Sequence, residues 1–167
     1  SSDVGLVYYS GHGVEVKGRN YLIPVDADIR REHEVEDQAF DAGNILRMME
    51  SLQTSEKKRV NIMIVDACRN NDLAKSWRSA NRGLARMDAP TGSFISFATA
   101  PGQVASDGNG RNSPFTKHLL QALKQPNVPI ELVFKEVRRN VMDETAGEQV
   151  PWENSSLIGD FYFTVAR

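Results

Sequence analysis

The sequence predicts an α/β fold, with a mostly parallel central sheet and helices on both of its faces. Two apolar runs, at 4–9 and 59–67, are short and rich in residues that favour strands, which is typical of strands buried inside a sheet. Segments whose apolar residues recur at helical spacing alternate with these runs. Because parallel strands need long crossover connections, usually helices, this alternation favours parallel pairing.

The first half of the chain supplies four of these elements. VGLVYY (4–9) is predicted to be a fully buried strand, and the residues at 14–26 alternate around Gly18 and predict a β-hairpin. A helix is expected over 36–52, and a second buried strand over 59–67. The apolar positions of that helix are Phe40, Ile45, Met48, Met49 and Leu52.

The second half begins with a polar stretch, 69–92, which predicts a loop. Loops of this length in a compact domain are usually functional or disordered. The elements expected after it are a strand at 92–100, a loop at 101–112, helices at 113–123 and 129–145, a loop at 147–156 and a strand at 157–165. The first of these helices opens with a Ser-Pro pair, which is typical of a helix start.

The overall composition limits the classes of function. A chain of 167 residues with a net charge of −2 and a pI of about 5.9 suits one domain, and it has no basic excess that would favour nucleic acid. No apolar stretch approaches the roughly 20 residues that span a bilayer. With Cys68 as the only cysteine, no internal disulfide can form, which fits a reducing, cytoplasmic location.

A histidine and a cysteine follow the first two buried strands. Ligands of such sheets bind beyond the carboxyl ends of the strands, where SGHG places His12 and VDACRNN places Cys68. A histidine can take the proton of a thiol and later protonate a leaving amine, and the amides near Gly11 and Gly13 can stabilise an oxyanion, so the arrangement fits amide hydrolysis. Each residue alone has a plainer explanation, since a lone cysteine is usually a small buried hydrophobe. No spacing of His, Cys and Asp is typical of a zinc site.

YYSGHG and VDACRNN together resemble the motifs of the caspase-like cysteine peptidases of clan CD (peptidase family C14), which include caspases, metacaspases and bacterial relatives. His12 lies 56 residues before Cys68, and ATAPG, SPFTKHLL and LIGDFYF also look like this family. The resemblance implies a caspase-like fold and a cysteine-type endopeptidase. It makes Cys68 the nucleophile, His12 its partner, and the backbone amides of Gly13 and Cys68 the oxyanion hole.

The sequence departs from the caspases at the substrate pocket. Asp66 stands where caspases carry a glutamine before Ala-Cys, as in metacaspases, and Asp107 stands where caspases carry an arginine after Thr-Ala-Pro-Gly. Both changes reverse the charge of the pocket, so we expect cleavage after arginine or lysine. Ser10 matches a pocket-lining serine of metacaspases, and Asp26 is a weaker pocket or loop-anchoring candidate. The alternatives are that Asp66 caps backbone amides and that Asp107 is a solvated turn residue.

The resemblance also divides the chain into parts. Residues 1–167 form one caspase-like peptidase domain, with a large-subunit part at 1–70, a linker at 71–91 and a small-subunit part at 92–167. In the family this linker is often cut during activation, and the alternative is a solvated charged loop. The candidate self-cleavage sites are Lys75, Arg78, Arg82 and Arg86.

The implied caspase-like fold normally has two strands and two helices before the SGHG strand, and this sequence starts almost at that strand. The alternatives are that this part is a separate segment, that it was removed, or that the fold is a reduced variant. A strand at 4–9 without a neighbour would expose an apolar edge, so we expect a further N-terminal segment of the same protein to cover it. In metacaspases that region supplies another pocket acid.

No cofactor or metal is expected, although some metacaspases need calcium. The acids here, such as Asp72, Asp107, Asp143 and Glu144, form no recognisable calcium loop, and the requirement stays open. The expected partner is a peptide or protein with a basic residue before the scissile bond, with no nucleic acid or membrane involved, and a monomer is favoured over a dimer. Two other functions stay open, namely a non-proteolytic binding or signalling module of the same fold and a hydrolase of small amides.

Overall fold

The computed structural model describes residues 3–53, 59–68, 83–106, 108 and 110–166, without the side chain of Cys68. The strands of this part are β1 (Val4–Val16), β2 (Arg19–Ile23), β3 (Phe40–Asp41), β4 (Val60–Cys68), β5 (Ser93–Phe97) and β6 (Trp152–Ser155). Its helices are α1 (Val35–Gln38), which follows a 3-10 turn at Glu32–Glu34, α2 (Ala42–Ser51), α3 (Pro114–Ala122) and α4 (Ile130–Glu144). No helix within these described ranges is both long and apolar enough to cross a membrane.

The strands form one six-stranded sheet in the order β3-β2-β1-β4-β5-β6. The pairs β1–β4 and β4–β5 are parallel, so the core of the sheet is parallel as the sequence predicts. The pairs β1–β2, β2–β3 and β5–β6 are antiparallel and extend this core on both sides. The α/β class is therefore confirmed, with a mixed sheet whose carboxyl edge is formed by the parallel strands.

The predicted hairpin is present, but its first strand is longer than expected. β1 continues from the apolar run through SGHG to Val16, a length of 13 residues. The turn residues Lys17 and Gly18 have φ angles of 52° and 78°. Two consecutive positive φ angles are the requirement of a type I′ turn, which matches the twist of the flanking strands, and glycine adopts them without strain.

Helices cover both faces of the sheet, which confirms the predicted arrangement. On one face α3 and α4 pack over β4 and β5, with Ile62, Phe94 and Phe134 in the core. The ring centroids of Phe94 and Phe134 are 4.8 Å apart, a separation that favours aromatic pairing. On the other face α2 packs through Leu46 against Met63 and its neighbours. Both predicted helices of the second half are thus confirmed within a residue or two at their ends.

The expectation that the strand at 4–9 is fully buried is wrong for one of its faces. Val4, Leu6 and Tyr8 are 39%, 50% and 42% exposed, whereas Val7 and Tyr9 pack against the core on the α2 side. The reason is that the layer of α3 and α4 covers β4 and β5 and does not extend across β1.

The helix predicted over 36–52 is interrupted. The chain leaves α1 at Ala39, which is extended, and Phe40 and Asp41 pair with β2 as the short strand β3. Asp41 then caps α2 by accepting hydrogen bonds from the amides of Gly43 and Asn44. The cap and the strand pairing outweigh the helical spacing. Phe40, Met48 and Leu52, three of the apolar positions of the predicted helix, are more than half exposed.

The last two predicted elements are also different in the structure. The predicted loop at 147–156 contains β6, and the predicted strand at 157–165 is irregular apart from a single bridge between Tyr162 and Pro129. Phe163 packs on Phe134 of α4, at 6.5 Å between ring centroids. The apolar residues of this segment therefore cover the helical layer and do not extend the sheet.

Candidate active site

The parallel register of β1 and β4 brings the candidate histidine and cysteine together. The ladder runs without a break from the pair Val4–Val60 to the pair His12–Cys68. Neighbouring strands of a sheet lie roughly 4.8 Å apart, so the backbones of His12 and Cys68 are adjacent at the carboxyl edge. The side chain of Cys68 lies outside the described residues. The catalytic roles of the two residues stay predictions.

His12 is exposed and stands where β1 begins to pair with β2, opposite Ile23. Its carbonyl oxygen accepts a hydrogen bond from the hydroxyl of Tyr9 at 2.6 Å. No hydrogen bond reaches its imidazole from the part of the chain that the structure describes. The imidazole ring is therefore accessible, whereas the backbone of His12 is bonded to other residues.

Gly13, the candidate oxyanion-hole residue, is buried by its neighbours. A Cβ atom at this position would lie 3.0 Å from the Cβ of Ala67 and 3.2 Å from a methyl carbon of Leu84. Even alanine would be tight here, so close packing alone gives a reason for glycine at this position. The use of its amide as an oxyanion donor stays a prediction.

Ser10 and Asp66 are also partners in the parallel register. Side chains alternate between the faces of a strand, so Ser10 shares a face with Tyr8 and His12. Ser10 is exposed, whereas Asp66 is only 1% exposed. The two predicted pocket residues are thus side by side, directly below the His12–Cys68 pair.

The carboxylate of Asp66 is bound to the start of α3. It accepts hydrogen bonds from the hydroxyls of Ser113 and Thr116, the latter at 2.5 Å. Ser113 is also the N-cap of α3, since its oxygen accepts from the amide of Thr116 at 3.0 Å. Because Thr116 gives its single hydroxyl hydrogen to Asp66, Tyr8 must donate in the 2.6 Å contact between Tyr8 and Thr116.

A cleft of about 900 Å³ opens beside α3, between the loop that follows β5 and the segment after α4. Lys117, Glu144 and Glu148 are among its lining residues, and Ser10, His12 and Asp66 are not. Glu144 accepts hydrogen bonds from Lys117 at 2.8 Å and His118 at 2.6 Å. These two bonds hold the pKa of Glu144 below its ordinary value.

The wall of this cleft is fixed by a buried glutamine. Gln149 is 1% exposed, accepts from the amide of Ser106 at 3.0 Å and donates to the carbonyl of Ala98 at 2.8 Å. It thereby ties the loop after β5 to the segment after α4.

Residues 83–92 cross the opposite face of the sheet as an irregular segment with many contacts. The buried side chain of Asn20 donates to the carbonyl of Ala85 and accepts from its amide, both at 2.7 Å. Leu84 packs into the core on the α2 side and accepts from the amide of Gly102 at 3.2 Å. We call this 83–92 segment the strap.

The remaining predicted site residues are spread over the surface or are not described. Arg86, one of the candidate cleavage sites, is exposed on the strap and pairs with Asp88 at 3.6 Å. Asp26 is exposed in the loop after β2 and lines a shallow cleft of about 340 Å³. The candidates that lie outside the described residues are Lys75, Arg78, Arg82 and Asp107, together with Asp72.

Within the described ranges, no cluster of three or more His, Cys, Asp or Glu side chains could hold a metal ion.

Sequence reasoning missed the residues that hold this site in place. Ser113 and Thr116 lie in the family-like motif SPFTKHLL, and Tyr8 and Tyr9 lie in YYSGHG, but neither motif indicates which groups these side chains bind. The bond from Ser113 to Asp66 depends on the folded chain. The spacing Tyr-x-Gly is a local indication of the Tyr9 contact, because Gly11 leaves room for the hydroxyl end of the Tyr9 ring.

Two features define the class of this protein: a sheet with a parallel core, and a histidine and a cysteine in register at its carboxyl edge. They are features of the caspase-like cysteine peptidases. A match to the caspase domain of peptidase family C14 extends over residues 1–162. The chain belongs to this family of cysteine peptidases.

A solved structure and two curated proteins are also similar to this chain. Caspase-1 from Spodoptera frugiperda has a similar fold, with a TM-score of 0.61 at 20% identity over 98% of this chain and 64% of that chain. The human mucosa-associated lymphoid tissue lymphoma translocation protein 1 and its mouse homologue are each 34% identical to this chain over 68 residues. That stretch is 41% of this chain and 7% of either relative, so the chain spans a small part of the curated proteins that it matches.

Proposed function

We propose that this chain is a cysteine endopeptidase that hydrolyses peptide bonds after arginine or lysine by means of a Cys68–His12 dyad. The observation that carries the proposal is the parallel register that pairs these two residues at the carboxyl edge of the sheet. Membership of the caspase domain family supports the same chemistry.

The proposed reaction has two steps. The thiolate of Cys68 attacks the scissile carbonyl carbon, and the imidazolium of His12 gives its proton to the leaving amine as the C–N bond breaks. Water then attacks the thioester, His12 takes one of its protons, and the carboxylate product leaves as Cys68 is regenerated. In both steps the negative charge on the carbonyl oxygen is stabilised by the amides of Gly13 and Cys68.

The proposed specificity depends on charge next to the dyad. Ser10 and Asp66 lie two residues before His12 and Cys68 on β1 and β4, so the two pairs share one face of the sheet. The bonds from Ser113 and Thr116 fix the Asp66 carboxylate in one position, which favours it as a preorganised acceptor for a cation. Arginine matches a carboxylate bidentately, whereas an aspartate side chain would be repelled. Asp107 and Asp26 are the further acids of this proposal.

Matched fluorogenic peptides that end in arginine, lysine or aspartate test both parts of the proposal. We expect hydrolysis of the first two, loss of activity in Cys68→Ala and His12→Ala, and a rise in KM for the basic peptides in Asp66→Asn. Parallel assays with and without calcium show whether the ion is required. A preference for aspartate would refute the charge argument and leave the peptidase. A chain that cuts none of the three peptides would favour the non-proteolytic binding module.

The proposed enzyme is a monomer that processes itself in the segment before the strap. Cleavage needs a segment that can leave its contacts, and the neighbours of Arg86 are held by Asn20 and the core. The contacts around Arg86 therefore argue against a cut there, and Lys75, Arg78 and Arg82 are the better candidates. Mass spectrometry of active protein should find new termini after those residues and an intact bond after Arg86.

We also propose that a further N-terminal segment of the same protein lies on β1. Among the described residues, those at 4–11 have β4 on one side and no strand on the other, because β2 pairs only with residues from His12 onwards. Val4, Leu6 and Tyr8 form an exposed apolar row on one face of that stretch. A longer form of the protein should show slower amide exchange at 4–11 than this chain does. Equal exchange in both forms would contradict the proposal.

A further inference from the structure

The side chain of Tyr9 lies against the backbone of the candidate catalytic histidine. Its hydroxyl oxygen is 2.6 Å from the carbonyl oxygen of His12 and 2.8 Å from the carbonyl oxygen of Ile23. His12 and Ile23 oppose each other as the first pair of the β1–β2 ladder. One phenol therefore shares its single hydrogen between two carbonyl oxygens, at the point where the hairpin joins the strand.

Gly11 makes room for this contact. A Cβ atom at residue 11 would lie 2.7 Å from the hydroxyl oxygen of Tyr9 and 3.0 Å from the ring carbon that carries it. Both separations are shorter than ordinary carbon contacts, so a side chain at residue 11 would push the phenol away from His12. The Tyr9-Ser10-Gly11-His12 stretch thus contains both the hydroxyl and the space that it needs.

The contact matters because the strand ladders hold the backbone of His12 and no described side chain bonds to its imidazole. The base of a catalytic pair is commonly oriented by a third group. Within the described part of the chain no group bonds to the imidazole of His12, and the bond from Tyr9 is the side-chain contact that reaches its backbone. The position of the ring relative to Cys68 then depends on where the His12 peptide lies.

We propose that Tyr9 is a positioning residue, whose hydroxyl holds the His12 peptide so that the imidazole stays within reach of the Cys68 thiol. This inference rests on the proposed function, because it assigns Tyr9 to the same dyad. It does not place Tyr9 in contact with substrate.

The chemistry of the phenol suits this role. Burial raises the pKa of Tyr9 above the ordinary value of 10.0. The hydroxyl therefore keeps its hydrogen, and remains a donor, over the whole pH range in which a thiolate and an imidazolium coexist.

The test compares two Tyr→Phe variants that differ in one respect. Tyr9→Phe removes a hydroxyl that bonds to His12. Tyr21→Phe removes a buried hydroxyl on the neighbouring strand β2 that has no hydrogen-bond partner among the described residues. Both variants therefore lose one phenol hydroxyl from the same sheet, and only Tyr9→Phe also loses a hydrogen bond to His12.

The main readout is the pH dependence of alkylation by iodoacetamide, which is clean because Cys68 is the only cysteine of the chain. A thiol paired with imidazolium reacts at a pH well below its ordinary pKa of about 8.5. We expect wild type and Tyr21→Phe to share this low midpoint, and Tyr9→Phe to move towards the midpoint of His12→Ala. For peptide hydrolysis we expect kcat to fall about tenfold to a hundredfold in Tyr9→Phe, with KM nearly unchanged.

Gly11→Ala provides a second variant that keeps the hydroxyl and displaces it. We expect it to move the alkylation midpoint in the same direction as Tyr9→Phe, and the double variant to be less impaired than the sum of the two changes. Circular dichroism at the assay temperature confirms that each variant is folded before its midpoint is compared.

The outcomes separate this inference from the proposed function. A wild type that cuts peptides, with Tyr9→Phe and Tyr21→Phe indistinguishable in kcat and in alkylation midpoint, would overturn the role of Tyr9 and keep the peptidase. A wild type that cuts no peptide, with an alkylation midpoint that is low and that rises in Tyr9→Phe but not in Tyr21→Phe, would overturn the proposed function and keep the role of Tyr9.

Discussion

Strands β1 and β4 are neighbours that run in the same direction, and both are apolar, yet they are covered differently. The register pairs Leu6 with Ile62 on one face of the sheet. Leu6 is 50% exposed and Ile62 is fully buried. The difference arises from α3 and α4, which lie over β4 and β5 and not over β1. Burial of a strand is therefore decided by elements far away in the chain, and the apolar content of the strand itself does not report it.

The largest effect is expected at the covered position. Ile62→Ala removes buried carbon atoms from a core that includes Phe94 and Phe134, and it leaves a cavity. We expect the free energy of unfolding to fall by about 2–5 kcal/mol, as for other large-to-small changes in a core. Urea unfolding followed by fluorescence measures it. A loss below about 1 kcal/mol would mean that the helical layer does not seal β4.

The second effect concerns the neighbouring strand β2, which holds the strap through Asn20. Asn20 is buried, and Asn20→Ala removes both of its bonds to Ala85, so that the amide and the carbonyl of Ala85 lose these partners. We expect a loss of about 1–3 kcal/mol in the free energy of unfolding. Asn154→Ala is the control, because Asn154 makes one longer bond to the strap, 3.2 Å to the carbonyl of Met87. Equal losses in the two variants would contradict a special role of Asn20.

A smaller effect is expected at the uncovered partner of Ile62. Leu6→Ala should reduce the free energy of unfolding by less than about 1 kcal/mol, because half of the side chain already lies in water. The same urea experiment measures it alongside Ile62→Ala. Similar losses for the two residues would refute the contrast between the strands. A larger loss in a longer form of the protein than in this chain would support the proposed N-terminal segment.

The smallest effect is expected at an ion pair between α3 and α4, the two helices that cover β4 and leave β1 exposed. Glu144 joins α3 to the end of α4 through Lys117 and His118, and its pKa in the folded state is lower than its ordinary value of 4.5. A group whose pKa falls on folding stabilises the folded state above that ordinary value, and this contribution is lost as the pH drops through the lowered value. Glu144→Gln should therefore lower Tm slightly at pH 7 and not at all in strong acid. An equal difference in Tm at both pH values would contradict the ion-pair explanation.

Local patterns were sufficient for the parts of the fold that depend on local burial. The apolar run at 59–67, the helices at 113–123 and 129–145 and the hairpin at 14–26 follow from periodicity and turn residues, and all are present. The interrupted helix at 36–52 and the missing strand at 157–165 depend on pairing with β2 and packing on α4, respectively, and no local pattern encodes those partners.

The candidate site also has residues that the sequence predicts and partners that only the folded chain reveals. Motifs and their spacing located His12, Cys68, Ser10 and Asp66, and the register of two strands brings their backbones together. The partners of Asp66 are 47 and 50 residues further along the chain, so only the folded chain reveals them. The described bonds of Asp66 are to side-chain hydroxyls of α3, which neither of the two sequence-based interpretations of this residue includes.

The unbroken ladder between β1 and β4 has a consequence for how this chain can change in length. The ladder consists of nine consecutive residue pairs, and His12–Cys68 is the last of them. Deleting one residue from either strand would turn the following side chains to the opposite face, and deleting two would move His12 along the sheet by roughly 6.6 Å. Insertions and deletions should therefore be tolerated in the connections and not within 4–12 or 60–68. A screen of random single-residue deletions would test this constraint, because active variants should carry their deletions in the connections and none within 4–12 or 60–68.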